Sequence, residues 1–289
     1  MFRDENGYGV YLNLTAVHCY REGASLIADA EMSTHVHKVV LAGNPMRLDA
    51  GIRHSYTKYF NRKYGRKGRM GEKGLFLMEL SGYYHIGTAI SYVCRNGLHH
   101  GASPTSFGYP FCSVNALYMK DRGFREDAPF YVRRSEIAGF LPRYSVFPDR
   151  YVMNEQGVFL RSSFMELQTA ESYYGTARNY LYQMNRLTSD EWIADQQKDR
   201  EESTPVTLDR LEPEMVPLSE YLANEFGKRY RPDKPTDLDV CKLIDKHYAR
   251  AAGCGSVYQL PDSLKERIFR ELKYEHHLPE DQIRRCLVV

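Results

Sequence analysis

The sequence predicts an α+β protein, and three observations carry that expectation. Short apolar runs rich in β-branched residues occur early, between stretches with helical spacing. Strands and helices follow each other irregularly, without a repeating strand–helix–strand unit. The last fifty residues read as helices alone. The expected architecture is an antiparallel sheet with flanking helices, followed by a mostly helical C-terminal region.

The elements follow in order. Tyr11, Leu14 and Val17 give helical spacing from Tyr8 to Tyr20. Ala24 to Met32 reads as a strand, Ser33-Thr34 as a turn, and His35 to Leu41 as a second strand ended by Gly43-Asn44-Pro45. Met46 to Tyr64 is helical and runs into a glycine-broken loop over 65–74. Leu75 to Leu80 reads as a third strand, Gly82 as a break, and Tyr83 to Leu98 as a helix. Gly101 to Pro110 is loop. From 120 to 185 the pattern is mixed, and Tyr173, Tyr174, Tyr180, Tyr182 and Trp192 suggest a packed helical region. Two helices follow over Asp237 to Ala252 and Asp262 to Tyr274, with a third beginning after His276-His277-Leu278-Pro279. The resulting division is 1–120, a mixed region with an acidic linker over 121–225, and a helical tail over 226–289.

Composition excludes several classes. The 289 residues are 43% hydrophobic and 26% charged, enough to fill a core and too apolar for a disordered chain. No window approaches the roughly 18 apolar residues of a membrane helix. The first residues, Met1 to Glu5, are charged at once and lack an apolar signal core. Six cysteines stand at 19, 94, 112, 241, 254 and 286 without a CxxC pair. Such scatter fits reduced thiols in the cytoplasm.

The net charge of +2 conceals an asymmetry. Residues 1–120 carry a net +6, residues 186–225 a net −7 and residues 226–289 a net +3. Most of the basic excess is Arg53, Lys58, Arg62, Lys63, Arg66, Lys67, Arg69 and Lys73, facing only Glu72. Tyr56, Tyr59 and Tyr64 are interleaved with it, a pattern suited to phosphate contacts and base stacking. The simpler reading is a solvated helix face followed by a loop. The acidic stretch, with Pro205, Pro213 and Pro217, reads as a connection that nucleic acid would repel.

Two motifs carry chemistry. On a strand, His35 and His37 point to one face, where two neutral imidazoles can hold a divalent cation. With ten histidines in the chain, one such tripeptide is unremarkable alone. On the helix from Tyr83, one stripe holds Ile86, Ile90 and Val93, and another holds His85, Thr88, Tyr92 and Asn96. Tyr92 and Asn96 are one turn apart, so a nucleophile and a metal ligand can come from one face. Among 23 tyrosines, however, most are packing residues.

Taken together, these segments resemble a known family. Met32 through Val40, with His35-Val36-His37 at its centre, is similar to the metal-binding signature of the HUH single-tyrosine transposases. Tyr92 through Gly101, with Asn96, resembles their catalytic helix, especially in the REP-associated tyrosine transposase branch. Tyr109-Pro110-Phe111-Cys112-Ser113 is similar to an aromatic-Pro-aromatic-Ser-Ser segment found there. The order matches, as does the gap of about 55 residues, and the likeness covers residues 1–120.

The resemblance implies an HUH, ferredoxin-like fold. It implies His35, His37 and Asn96 as ligands of Mg2+ or Mn2+, and Tyr92 as the nucleophile that forms a 5′-phosphotyrosine link. The substrate would be single-stranded or hairpin DNA, held by the basic stretch and cleaved and rejoined in DNA transposition and recombination. Monomer and homodimer are both compatible with it. Gly97 stands where the family commonly has proline, and Thr34 where it has asparagine. The chain opens almost directly on the helix that follows the family's first strand, which predicts a sheet with an unprotected edge. Leu260 to Leu272 and Leu278 to Leu287 resemble the first two helices of a helix-turn-helix, without the reading helix. The alternative to a catalytic transposase is a non-catalytic DNA-binding relative, and a more distant one is an unrelated metal-dependent hydrolase.

Overall fold

A computed structural model describes residues 2–71, 75–186, 198 and 232–289. Its N-terminal part is a two-stranded antiparallel sheet between helices. Helix α1 (Glu5–Arg21) starts where the Asp4 carboxylate accepts the Gly7 N–H at 2.8 Å. Strands β1 (Ser25–Glu31) and β2 (Val36–Leu41) pair with Asp29 opposite Lys38 and Ala30 opposite His37. Helix α2 (Pro45–Tyr64) begins on Asn44, whose side chain accepts the Arg47 N–H, and ends on Gly65 at φ 64°. Helix α3 is Tyr83–His99.

Alternation along β2 assigns the faces. Lys38 Nζ donates to the Tyr11 hydroxyl of α1 at 2.8 Å, whereas the neighbouring His37 ring lies 5.0 Å from the Tyr92 ring of α3. Helices α1 and α3 therefore cover opposite faces. On the α3 side β1 contributes Ala28 and Ala30, both buried, and such small side chains let the helix lie close. Helix α2 packs on α1, with the Tyr56 and Tyr11 rings 5.1 Å apart.

The α+β class and the early helices and strands follow the sequence closely, but two expectations fail. Leu75 to Leu80 forms no strand. Met78 and Leu80 pack on the main core while Phe76 and Leu77 stay exposed, so the run supplies anchors and no ladder. The edge of β1 is also not open. Glu31 N–H donates to Phe111 O at 2.8 Å, the Tyr109 hydroxyl donates to Glu31 O at 2.8 Å, and Ser113 Oγ bonds both the N–H and the carbonyl of Asp29. Residues 109–113 thus satisfy the edge that a further strand would otherwise occupy.

Short helices follow: α4 (Arg134–Ile137), α5 (Arg161–Phe164), α6 (Leu167–Ser172) and α7 (Ala177–Arg186). Tyr174 and Tyr180 are buried as expected, while Tyr182 is exposed. Trp192 and the predicted acidic linker beyond Arg186 lie outside the described residues, apart from Lys198. The C-terminal helices are α8 (Asp237–Leu243), continued by a wider turn over Ile244–Ala249, then α9 (Asp262–Tyr274) and α10 (Glu280–Leu287). They share a second core around Ile244, Ile268, Leu272 and Ile283. This unit is tied to the first by Arg3, whose guanidinium bonds Asp245 and Cys286 O, each at 2.8 Å, and by Ser33 Oγ donating to Asp237 at 2.8 Å. No helix among the described residues is long and apolar enough to cross a membrane.

Candidate active site

The fold brings the two chemical motifs together. His35 sits at the end of the β1–β2 turn, held where Met32 N–H donates to His35 O at 2.9 Å. Its ring centroid is 4.8 Å from that of His37, which is 5.0 Å from Tyr92. One turn along α3, Asn96 is 1% exposed, and its Nδ2 donates to Tyr92 O at 2.9 Å. Its Oδ1 is buried with no hydrogen-bond partner among the described residues. A buried amide oxygen without a donor is costly, so this atom marks a place prepared for something that accepts its lone pairs. Two imidazoles and an amide oxygen are a donor set that divalent cations accept, and the residues fit such an ion on that ground. Among the described residues, no three His, Cys, Asp or Glu side chains converge for a metal, so any ion here needs the amide.

Both stripes of α3 face inward, with Ile86 only partly buried. Ile90 and Val93 are in the core as expected, but His85, Thr88, Tyr92 and Asn96 are as well. Tyr92 is only 4% exposed. A buried polar stripe is a stronger site signal than an exposed one, because desolvated polar groups must serve either packing networks or chemistry.

Several residues of the site went unread in the sequence. Thr34 is not idle, because its Oγ1 lies 2.9 Å from His35 Nδ1. His100 packs its ring 5.5 Å from that of His35. Tyr92, Asn96 and His100 fall at i, i+4 and i+8, a periodicity that could have found it. Gly97 has a packing reason: a Cβ there would stand 2.3 Å from the Tyr109 Cβ, so glycine lets the edge-covering segment close on α3.

The sheet's other face is ionic. Arg161 of α5 reaches Asp29 at 3.2 Å and Glu31 at 3.5 Å, all three buried. Burial and the Asp29 charge push the Glu31 carboxyl up to about 8, against the opposing pull of Arg161. Nothing in the local sequence around Arg161 announces this pairing.

Of the eight basic residues in this stretch, Lys73 lies outside the described residues and the other seven divide. Arg53 is paired with Asp49 at 2.7 Å, Lys63 with Asp4 at 2.7 Å, and Arg66 closes the loop by donating to Gly68 O and Arg69 O. Lys58, Arg62, Lys67 and Arg69 are exposed and make no ion pair among the described residues. All of them lie on α2 or the loop after it, and α2 packs on the α1 side of the sheet.

No protein-family model matches the chain, and no curated protein or solved structure matches it significantly.

Proposed function

We propose that the chain is a DNA strand-cleaving and strand-joining enzyme of the HUH single-tyrosine class, with Tyr92 as nucleophile. One observation carries the reading: the His37 ring stands 5.0 Å from the Tyr92 ring, and one turn along the same helix Asn96 has a buried Oδ1 without a hydrogen-bond partner among the described residues. His35, His37 and Asn96 would hold Mg2+ or Mn2+, which when bound polarises the scissile phosphate. A free phenol, with a pKa near 10, is a poor nucleophile at neutral pH, so the phosphate must be made more electrophilic and held in line. Tyr92 loses its proton, its oxygen bonds to phosphorus, and the 3′-oxygen of the upstream nucleotide leaves as a 3′-hydroxyl. The 5′-phosphotyrosine keeps the bond energy, so a 3′-hydroxyl can attack it and rejoin a strand without ATP. Lys58, Arg62, Lys67 and Arg69 would hold phosphates of single-stranded or hairpin DNA.

A second reading, a DNA-binding relative without turnover, draws support from the two-stranded sheet and from the depth of Tyr92. Incubation with labelled hairpin DNA and Mn2+, followed by a denaturing gel and mass spectrometry, separates the two. The catalytic reading expects an adduct mapped to Tyr92 that disappears with EDTA and in Tyr92→Phe, while binding persists. Binding without any adduct across a diverse hairpin pool supports the second reading instead.

A further inference from the structure

Residues 130–146 form an arm anchored at its start, where Phe130 N–H and Tyr131 N–H donate to Met153 O at 2.8 and 3.1 Å, and by Tyr131 and Leu141 packing on the main core. Ile137 is buried in the main core, as is Phe147 just beyond the arm, while the Phe140 ring closes on Gly157. Gly157 O in turn accepts from Asn13 of α1 at 2.8 Å, which fixes the base of the arm to α1 and away from Tyr92. Beyond those anchors the arm presents Phe130, Val132, Tyr144 and Val146 to solvent.

Tyr144 is the informative residue. It is 86% exposed, and its backbone lies at φ 69°. A bulky side chain in the left-handed region is strained, and glycine or asparagine would relieve that strain. No packing compensates for it here, since the ring's contact is the Arg143 guanidinium, 5.3 Å from the centroid. The chain therefore spends conformational energy to hold an aromatic ring in water, which points to a ligand for the ring.

Charge identifies the ligand class. Arg133 and Arg143 are exposed on the arm, as is Arg134, which lies 3.9 Å from the Asp149 carboxylate. The only acid between 130 and 148 is Glu136, whose carboxylate accepts the Arg133 N–H at 3.2 Å. Flat exposed rings alternating with guanidinium groups match a chain of bases and phosphates, with stacking on the rings and charge-assisted bonds to phosphate oxygens.

We propose that the 130–146 arm is a stacking platform for single-stranded DNA, with a base on Tyr144 and phosphates on Arg133 and Arg143. It rests on the strand-transfer reading and adds to it a strand-holding surface apart from the tyrosine and histidines. The test uses the full chain in EDTA with a fluorescein-labelled oligothymidylate, followed by anisotropy at low and moderate salt. Tyr144→Gly weakens binding about tenfold while the melting temperature stays level or rises, because strain is removed. Tyr144→Trp, which keeps an aromatic face, retains wild-type affinity. A Tyr144→Gly affinity within twofold of wild type overturns the platform. So does a loss that Tyr144→Trp shares. An adduct at Tyr92 together with unchanged Tyr144→Gly binding defeats the platform alone. Tenfold weaker binding by Tyr144→Gly with no Tyr92 adduct defeats the strand-transfer reading alone.

Discussion

The two faces of one small sheet are built to opposite rules. Lys38 and His37 are adjacent in β2, yet one meets Tyr11 and the other Tyr92. On the α1 side, Asp29, Glu31 and Lys38 gather with Arg161 into a closed ionic cluster. On the α3 side, two imidazoles and a phenol converge, and one helical turn beyond the phenol a buried amide oxygen lacks a donor among the described residues. A period of two lets seven and six residues of strand serve both purposes. The lesson is that the structural face balances opposite charges among its own side chains, although Glu31 Oε1 is buried there without a hydrogen-bond partner among the described residues, whereas the chemical face gathers neutral lone-pair donors.

The largest test of that contrast removes Arg161. Arg161→Met keeps volume but removes the guanidinium that reaches Asp29 and Glu31, leaving Lys38 as the remaining cation of the cluster, and breaking such a buried pair costs about 3–5 kcal/mol. Urea unfolding reads this directly. A cost below about 1 kcal/mol, typical of exposed pairs, would show that the ionic face is not closed.

Glu31 gives the next largest effect, and it depends on pH. Its carboxyl is raised to about 8 in the folded protein by burial and by Asp29, against about 4.5 when unfolded. Over that window the folded state holds the extra proton. Its stabilisation is therefore complete below about pH 4.5 and is lost as pH rises toward 8. Glu31→Gln retains a neutral side chain there, so its melting temperature should fall less between pH 5 and 8 than that of the wild type. Parallel profiles for the two proteins would place the carboxylate, not the acid, beside Asp29.

How much of this was legible follows from range along the chain. Local periodicity located α1, both strands, α2 and α3 within a few residues, because alternation and caps such as Asn44 and Gly65 act locally. Asp262–Tyr274 coincides with the predicted helix for the same reason. The strand at Leu75–Leu80 failed because an apolar run shows what is buried and not whether a neighbouring strand offers main-chain partners. Arg161 is 132 residues from Asp29 and could not be paired with it from spacing. The convergence of His37 on Tyr92 was reached through a family likeness across 55 residues, and the fold supplies the distance. Thr34 carries no signal in the sequence, because its contact with His35 lies within a turn whose geometry the sequence does not state.

That contact supplies the finest test of the chemical face. An ion on His35 Nε2 requires the ring proton on Nδ1, and Thr34 Oγ1, 2.9 Å from Nδ1, is placed to accept it. Thr34→Val keeps the β-branched shape of the turn and removes the acceptor, so both tautomers become available. Partners of this kind typically set metal affinity by about 10–100-fold, and Mn2+ titration of Thr34→Val should fall at the lower end because Thr34 is exposed. Stability should move by less than about 0.5 kcal/mol, as for other exposed positions. Unchanged Mn2+ affinity would mean that the His37 and His100 rings, at 4.8 and 5.5 Å, orient His35 unaided. In that case the chemical face, like the ionic one, is held by its own side chains rather than by the turn that delivers them.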